Sequence, residues 1–312
     1  MYFLKKVKKV MKLKKKKKFG VIAYEWLEYK KNNIKNSTYC NYKFIIEKYL
    51  KDEFAEIDID KLHDFNNFID ELTTRLAPKT IRDITNVLKA ILTYYEETYE
   101  KKLKYKRMII PKLEKETIKI LSKKEKEKLE KYCIESDNLR LLGIIVCLNT
   151  GIRLGEICAL KWENIDLDER IIYIKHTIQR VYIGKGIKSE VIIDKPKTKC
   201  SIRAIPINNK LYSILKPLSK QYRKEAFFLT GLVERPVEPR NYQVMFKSIL
   251  KKCKLKNYKF HILRHTFATN CIEVGMDIKT LSQILGHANV EITLNIYVHS
   301  SKKMMKKYLE KI

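Results

Sequence analysis

Residues 261–268 read His-Ile-Leu-Arg-His-Thr-Phe-Ala and predict a helix with polar residues on one side. His261 and Arg264 are three residues apart, so a helix places them on the same face. The residues expected on the core side of this helix are Leu263, Phe267, Ala268 and Cys271. The stretch therefore combines an apolar side with an imidazole and a guanidinium that face the same way.

Two other segments carry residues of the same kinds. Downstream, Leu285-Gly286-His287 precedes Tyr297, and Gly286 is expected to end a helix and let the imidazole of His287 project. Upstream, residues 150–156 read Thr-Gly-Ile-Arg-Leu-Gly-Glu. Arg153 would then lie at a helix N-terminus, where backbone N–H groups also face anions.

Two arginines, two histidines and a phenol form a set that could bind one phosphodiester and attack it. Negative charge gathers on the non-bridging oxygens during attack, and a guanidinium can meet two of them while staying charged. A free phenol, with a pKa of about 10, is a poor nucleophile, but neighbouring arginines and a histidine favour the phenolate. Each residue alone also has an ordinary interpretation: a surface arginine, a capping histidine, or one of 19 tyrosines.

The charge of the chain indicates a polyanion as its partner. The 312 residues carry a net charge of +30, and +20 remains without residues 1–20, which hold ten lysines and no acid. Nucleic acid is the usual partner of such a protein. An acidic membrane surface is the alternative, but no amphipathic or lipidated segment favours it.

Other features of the composition favour a cytoplasmic protein without a metal. No signal peptide is evident, no apolar run reaches about 18 residues, and the seven cysteines are scattered, as in reduced proteins. A metal site is not expected near the histidines, because no acid or cysteine lies at ligand spacing and the arginines would repel a cation.

The apolar pattern predicts a basic tail at 1–18, a helical domain at 19–105, a linker at 106–116 and a second domain at 117–312. Four helices are expected in the helical domain. Ser37 would cap the second helix, the third would run near Leu62 to Leu72, and the fourth would follow Pro78.

The second domain is predicted to be helical around a small sheet. A capping box opens a helix at Ser122, a buried helix ends at Thr150-Gly151, and another helix runs from Arg153 to Trp162. Residues 171–207 show strand patterns, and helices return after Asn208. The expected fold class is mainly α with a small antiparallel β-sheet.

Together these segments resemble the tyrosine recombinases, also called phage-type integrases. The segments similar to the family's motifs are residues 150–156, 160–162, 165–166, 261–268, 285–287 and 296–297. The resemblance covers about residues 117–312, and residues 19–105 resemble the family's helical core-binding domain.

The resemblance implies six catalytic residues: Arg153, Lys197, His261, Arg264, His287 and Tyr297. Tyr297 would attack the scissile phosphate and form a 3′-phosphotyrosyl link, while Lys197 would protonate the departing 5′ oxygen from a β-hairpin. Arg153, Arg264 and His287 would stabilise the transition state. His261 would hydrogen-bond the phosphate or take the phenolic proton.

Two assignments keep alternatives. The rivals of Lys197 in this lysine-rich region are Lys185, Lys188 and Lys199. Glu156 either orients the arginines and histidines or is an ordinary acid on a helix surface.

The resemblance also implies a C-shaped clamp on double-stranded DNA and a homotetramer on two DNA sites. Accessory DNA-bending or directionality proteins would be further partners. No cofactor is expected, because the covalent link stores the bond energy and neither ATP nor a metal is required. Residues 298–312 would dock on a neighbouring protomer or fold back on their own core.

The family context suggests a phage or an integrative mobile element. Many integrases of mobile elements carry an arm-binding domain before the helical domain, but here only the lysine-rich residues 1–18 precede it. Either that domain is absent, or the basic tail replaces part of its phosphate binding. This argues against integration that depends on arm sites and leaves simpler recombination or resolution open.

Two other functions fit the same residues. A type IB topoisomerase would relax supercoiled plasmid that lacks a cognate site, which a recombinase would not do efficiently. A DNA-binding regulator without chemistry would form no covalent adduct with DNA. The full catalytic set argues against the regulator.

Overall fold

The computed structural model describes residues 17–113, 118–136, 138–184, 188–194, 201–287, 289–291, 293–294 and 309–310, without the side chains of 182–184 and 188. The described residues divide into two compact units. The first unit lies within Met1–Lys115 together with Val181–Glu190, and the second lies within Glu116–Arg180 together with Val191–Ile312.

The first unit is a helical bundle. Its helices are α1 (Phe19–Lys31), α2 (Asn36–Ile45), α3 (Lys51–Phe54), α4 (Asn66–Thr73) and α5 (Pro78–Tyr99). A π-helical turn at Ile46–Leu50 joins α2 to α3, and a 3-10 turn lies at Ile59–Lys61. Large apolar side chains from these helices fill the core, including Trp26, Leu50, Phe65 and Ile91.

Predictions for this unit were right at one helix start and wrong at two. Pro78 is the first residue of α5, where its missing N–H costs no hydrogen bond. Ser37 is not a cap: Lys35 precedes α2, and the buried Ser37 hydroxyl has no hydrogen-bond partner among the described residues. The third helix begins only at Asn66, because the Asp64 carboxylate accepts the Asn66 N–H at 2.9 Å and turns the chain there.

The end of the basic N-terminal segment belongs to the first unit. The Ile59 N–H donates to the carbonyl of Lys17 at 2.9 Å, and Lys18 pairs with Asp58 in an isolated antiparallel bridge. The Lys17 ammonium also contacts the Tyr99 hydroxyl and lies 3.6 Å from a Glu25 oxygen. The predicted tail at 1–18 therefore overlaps the folded unit at its last two residues.

The second unit contains the other described helices and the sheet of residues 165–166, 171–174 and 203–206. Its helices are α6 (Lys123–Ile134), α7 (Leu139–Thr150), α8 (Leu154–Ala159), α9 (Asn209–Ser219), α10 (Pro239–Lys252), α11 (Ile262–Glu273) and α12 (Ile278–Leu285). The almost wholly buried α7 packs against α6, α9 and α11 and forms the centre of the core.

Two predicted helix ends of this unit are confirmed, and one is wrong. The capping box at Ser122 is present, with the Ser122 hydroxyl accepting from the Glu125 N–H, and Gly151 ends α7 with a φ of 64°. Helix α8 stops at Ala159 instead of Trp162. The backbone beyond it turns extended, and Leu160 and Trp162 form hydrogen bonds with residues 226–228.

The strands form small sheets, as expected. They are β1 (Ile165–Asp166), β2 (Ile171–Ile174), β3 (Thr177–Gly184), β4 (Lys188–Asp194) and β5 (Arg203–Pro206). Strands β1, β2 and β5 form an antiparallel sheet in which Ile172 pairs with Ile205, and β3 pairs with β4. The predicted fold class, mainly α with a small antiparallel sheet, is confirmed.

Two further features concern the described residues alone. None of their helices is long and apolar enough to cross a membrane. Their six cysteines are buried and free: Cys40, Cys133, Cys147, Cys158, Cys253 and Cys271.

Candidate active site

Arg153 lies at the N-terminus of α8, where the turn after Gly151 leads from α7. Its backbone N–H and its Nη1 donate to the two oxygens of Glu156, at 2.9 and 2.8 Å. Its Nη2 donates to the carbonyl of Gly286 at 2.6 Å. About a third of the side chain (32%) is exposed, so the guanidinium can also reach an anion from solvent.

Arg264 lies in the first turn of α11 and is buried, with 3% of the residue exposed. Nη1 donates to the carbonyl of Gly151 at 2.8 Å, and Nη2 donates to the carbonyl of Leu285 at 2.8 Å. Burial and the charges of Arg153 and Arg203 lower the pKa of Arg264 to about 9. The guanidinium therefore remains charged at neutral pH.

His287 follows Gly286, which ends α12 with a φ of 65°, as the sequence predicted. Its Nε2 lies 2.7 Å from Arg264 Nη2, and its Nδ1 lies 2.8 Å from the hydroxyl of Thr293. Burial and the positive charges of Arg264 and Arg153 are the main causes that lower the pKa of His287 to about 3. The imidazole is therefore neutral at physiological pH.

His261 directly precedes α11 and keeps an exposed edge. Its ring packs edge-to-face on His265, with centroids 4.6 Å apart. Partial burial and the charges of His265 and Arg264 lower the pKa of His261. A cavity of about 590 Å³ opens beside the two rings and is lined by the basic side chains of Lys119 and Lys259. His261 is thus a neutral imidazole beside a space that can admit an anion.

Glu156 is not an ordinary surface acid, because only 4% of the residue is exposed. Burial alone would raise the pKa of its carboxyl, but hydrogen bonds and the charges of Arg203 and Arg153 lower this pKa to about 2. Glu156 is therefore an anion that orients Arg153. Of the two interpretations offered by the sequence, the orienting role agrees with this burial.

Two residues of this cluster were missed by the sequence analysis. Arg203 binds Glu156 with two nitrogens, at 3.0 and 2.8 Å, and Thr293 is the fully buried partner of His287. Strand alternation could have pointed to Arg203, because it lies on the same side of β5 as the buried Ile205. No local pattern marks Thr293.

The structure therefore brings four of the six predicted site residues into one region: Arg153, His261, Arg264 and His287. Arg153 and Arg203 bond the carboxylate of Glu156, and Arg264 adds a third guanidinium group, so the region has an excess of positive charge and favours an anion such as a phosphodiester. Within the described residues, no group of His, Cys, Asp and Glu side chains could hold a metal ion.

The other two predicted residues lie outside the described part of the chain. These are Tyr297 and Lys197, and the rivals Lys185 and Lys199 also fall there. Lys188 begins β4, but its side chain is not among those described. The assignments of the nucleophile and the general acid stay predictions.

Known proteins are similar to this chain in sequence and in fold. A "Tyrosine recombinase XerC-like" protein of Caldanaerobacter subterraneus subsp. tengcongensis is 30% identical over 310 residues, which cover 90% of this chain and 78% of the relative. The Tn1549 transposon integrase, solved in complex with transposon right end DNA, has a similar fold, with a TM-score of 0.76 at 24% identity over 95% of this chain and 99% of that one.

A more distant structure extends the likeness in fold. The lambda integrase tetramer bound to a Holliday junction gives a TM-score of 0.63 at 15% identity, covering 87% of this chain and 78% of that one. At this identity the likeness concerns the fold alone.

Two protein-family models match separate parts of the chain. Residues 18–64 match the phage integrase N-terminal SAM-like domain, and residues 114–304 match the phage integrase family. The second match includes the predicted site residues Arg153, His261, Arg264 and His287 and the position of Tyr297. The chain therefore belongs to the phage integrase family of tyrosine recombinases.

Proposed function

We propose that this site-specific recombinase cuts and rejoins double-stranded DNA through a covalent bond between Tyr297 and a 3′ phosphate. One observation supports the proposal most directly: Arg153, Arg264 and His287 meet at the end of α12, although they lie in three distant parts of the sequence. Such a cluster can stabilise the charge that builds up on a phosphate under attack.

In the proposed cleavage step, a bond forms between the Tyr297 phenolic oxygen and phosphorus while the bond from phosphorus to the 5′ oxygen breaks. The phenolic proton passes to a base, for which His261 is the candidate, and the departing 5′ oxygen takes a proton from Lys197. Attack by the 5′ hydroxyl of a second strand reverses both transfers. Each step is a transesterification, so no bond energy is lost and no nucleotide cofactor is consumed.

The electrostatics of the site agree with these roles. The low pKa values of His261 and His287 keep both imidazoles neutral before DNA binds. The negative charge of a bound phosphate would raise the pKa of His261 and make it a stronger base for the phenolic proton. Arg153 and Arg264 stay charged and would meet the non-bridging oxygens. A bound phosphate would offset the repulsion from the arginines and raise the pKa of His287. Protonation of Nε2, which accepts from Arg264 in the free protein, would then give the ring a donor for the phosphate.

The assembly and biological setting form part of the proposal. The likeness to the tetramer on a Holliday junction supports a homotetramer on two DNA sites, and the likeness to a transposon integrase supports a phage or integrative mobile element. Accessory DNA-bending or directionality proteins and a location in the bacterial cytoplasm are proposed on the same basis. We also propose that residues 106–116 link a core-binding domain to the catalytic domain.

A nicked suicide substrate tests the covalent step, because loss of a short product prevents rejoining. The site is first selected from a duplex library by binding to the wild-type protein. The wild type should then form a protein–DNA adduct that survives denaturing electrophoresis, and Tyr297→Phe should form none. Tyr29→Phe is the matched control, since Tyr29 is exposed on the first unit and should leave the adduct unchanged.

Two outcomes would contradict the proposal. One is the absence of any adduct from the wild type on its selected site, which would favour a DNA-binding regulator. The other is an adduct of normal yield from Tyr297→Phe, which would assign the nucleophile elsewhere. Efficient relaxation of supercoiled plasmid without the site would instead favour a topoisomerase.

A further inference from the structure

Three consecutive carbonyl groups at the end of α12 each accept a hydrogen bond from a different arginine. The pairs are Arg203 Nε with the Ile284 oxygen at 2.6 Å, Arg264 Nη2 with the Leu285 oxygen at 2.8 Å, and Arg153 Nη2 with the Gly286 oxygen at 2.6 Å. The last carbonyls of a helix have no partner within the helix and carry its partial negative charge. Three cations therefore fix the end of the helix that leads into His287.

Arg203 differs from the other two arginines in the hydrogen bonds that its side-chain nitrogens form. Only 5% of its side chain is exposed, and each of its three nitrogens donates to a protein oxygen. Its partners are the Ile284 carbonyl, the Ser201 carbonyl and both oxygens of Glu156. All three nitrogens of Arg203 are therefore committed to the protein. By contrast, the hydrogen bonds described for Arg264 use only Nη1 and Nη2, and about a third of the Arg153 side chain is exposed.

Glu156 connects Arg203 to Arg153. Its Oε1 accepts from Arg153 Nη1 at 2.8 Å and from Arg203 Nη1 at 3.0 Å. Its Oε2 accepts from the backbone N–H of Arg153 at 2.9 Å and from Arg203 Nη2 at 2.8 Å. Two guanidinium groups on one carboxylate leave a net charge of +1. Without Arg203, the buried carboxylate would neutralise Arg153 alone, and Arg153 would attract an anion more weakly.

We propose that Arg203 is a positioning residue for strand cleavage and rejoining. It holds Glu156 against Arg153, fixes the end of α12 that carries His287, and offsets the charge of Glu156 so that Arg153 remains available to the scissile phosphate. This inference rests on the proposed function, in which Arg153 and His287 meet that phosphate.

Two substitutions separate the geometry of Arg203 from its charge. Arg203→Met removes both, and its single-turnover cleavage should fall by about 10²-fold, the size of effect expected when a catalytic group is misplaced by about 1 Å. Arg203→Lys keeps the charge, but one ammonium cannot reproduce the planar fork that meets both oxygens of Glu156. Its cleavage should fall by roughly tenfold. Affinity for the DNA site should change little in either variant, because Arg203 is buried.

A double variant distinguishes a positioning role from a merely structural one, because only the positioning role predicts that the cleavage rate recovers. Glu156→Gln removes the carboxylate whose charge Arg203 offsets. Combined with Arg203→Met, it should restore cleavage to several times the rate of Arg203→Met alone, because Arg153 is no longer neutralised. Arg170→Met is the matched control: this exposed arginine of the second unit bonds Asn209, and its loss should leave cleavage at the wild-type rate.

The outcomes distinguish this inference from the proposed function. If the wild type forms no covalent adduct, the proposed function itself is wrong. If the wild type forms the adduct and Arg203→Lys and Arg203→Met cleave like wild type, only the positioning role is wrong. The role is also overturned if both variants lose cleavage only in proportion to their loss of folded protein, measured by thermal unfolding, and Glu156→Gln gives no recovery.

Discussion

His287 and Thr293 are joined by a hydrogen bond of 2.8 Å between the imidazole Nδ1 and the threonine hydroxyl. The guanidinium of Arg264 can only donate, so the Nε2 atom that lies 2.7 Å from it must be the acceptor. Nδ1 then carries the hydrogen and donates to Thr293, which is fully buried. The pair fixes both the tautomer and the orientation of the ring.

Replacing Thr293 by valine should remove the hydroxyl and keep the packing of the side chain, because threonine and valine have nearly the same shape. The Nδ1–H of His287 would lose its acceptor, and an unpaired buried donor costs about 1–3 kcal/mol. We expect cleavage to slow by roughly tenfold, since about 1.4 kcal/mol corresponds to that factor. Single-turnover cleavage measures the rate, and nitrogen NMR of the histidines measures the tautomer.

Thr293→Ser is the control for this change. It keeps the hydroxyl and should hold both the tautomer and most of the rate. A Thr293→Val protein that cleaves as fast as the wild type would show that this hydrogen bond does not orient His287.

Gly151 and Gly275 allow a comparison of backbone strain with crowding. Both have positive φ, 64° and 92°, which disfavours any side chain. A Cβ at Gly151 would also lie 2.5 Å from Phe267 and 2.7 Å from Leu285, whereas a Cβ at Gly275 would meet nothing within 4 Å. Gly151→Ala should therefore be the more destabilising of the two by about 1–3 kcal/mol.

Chemical denaturation of both variants measures this difference in the free energy of unfolding. Gly151→Ala should also slow cleavage, because the Gly151 carbonyl accepts from Arg264. Equal stabilities for the two variants would contradict the crowding at Gly151.

Acidification should destabilise the second unit in two stages. The pKa of His287 falls from 6.5 to about 3 on folding and that of Glu156 from 4.5 to about 2. A pKa that is lower in the folded state means that the unfolded chain binds the proton first. The contribution of His287 to stability should therefore be complete above pH 6.5 and be lost towards pH 3. That of Glu156 should be lost between pH 4.5 and pH 2.

Tryptophan fluorescence can follow this loss in one unit. Trp162 lies in the second unit, and Trp26→Phe removes the other of the two tryptophans. In that background, His287→Asn should make the decrease in stability between pH 6.5 and pH 3 shallower. The decrease that remains would come from His261 and His265, whose pKa values are also lowered, and from Glu156 at lower pH. An unchanged profile would show that His287 is not held neutral by its surroundings.

The basic segment at residues 1–16 is expected to contribute to DNA affinity through charge. It holds eight lysines, while Lys17 and Lys18 are attached to the first unit and would remain after its deletion. Each phosphate contact adds about 0.9 to the slope of log affinity against log salt, so the deletion should lower that slope by at most about 7. Titrations of a fluorescent duplex at several salt concentrations measure the change.

The deletion carries its own control. The unfolding temperature of the first unit should stay the same, since the hydrogen bonds at Lys17 and Phe19 are retained. An unchanged salt slope would mean that the eight lysines make no contact with DNA phosphates.

Local features of the fold could be predicted from the sequence, and non-local ones could not. The capping box at Ser122, the glycine end at Gly151 and the start at Pro78 depend on residues within one turn, and all three predictions are confirmed. The predicted cap at Ser37 and the predicted end of α8 at Trp162 were wrong. In α8 the reason is non-local, because Trp162 bonds a segment more than 60 residues away.

The same distinction holds for the candidate site. Motif spacing predicted the polar face shared by His261 and Arg264 and the projection of His287 after Gly286, because both follow from helix geometry. Motif spacing could not show whether Glu156 is buried, because its buried ion-pair partner, Arg203, lies 47 residues later in the sequence. A lone arginine on a strand carries no motif, and only its position on the buried side of β5 marks it.

The hydrogen bonds at the end of α12 have a consequence for when the enzyme becomes active. Arginines at positions 153, 203 and 264 must all meet carbonyls at 284–286, so no shorter nascent chain can hold the anion site. During synthesis, DNA cleavage would become available only after α12 has left the ribosome and docked. A product truncated before α12 would lack the carbonyl groups that hold Arg153, Arg203 and Arg264, and with them the proposed phosphate site.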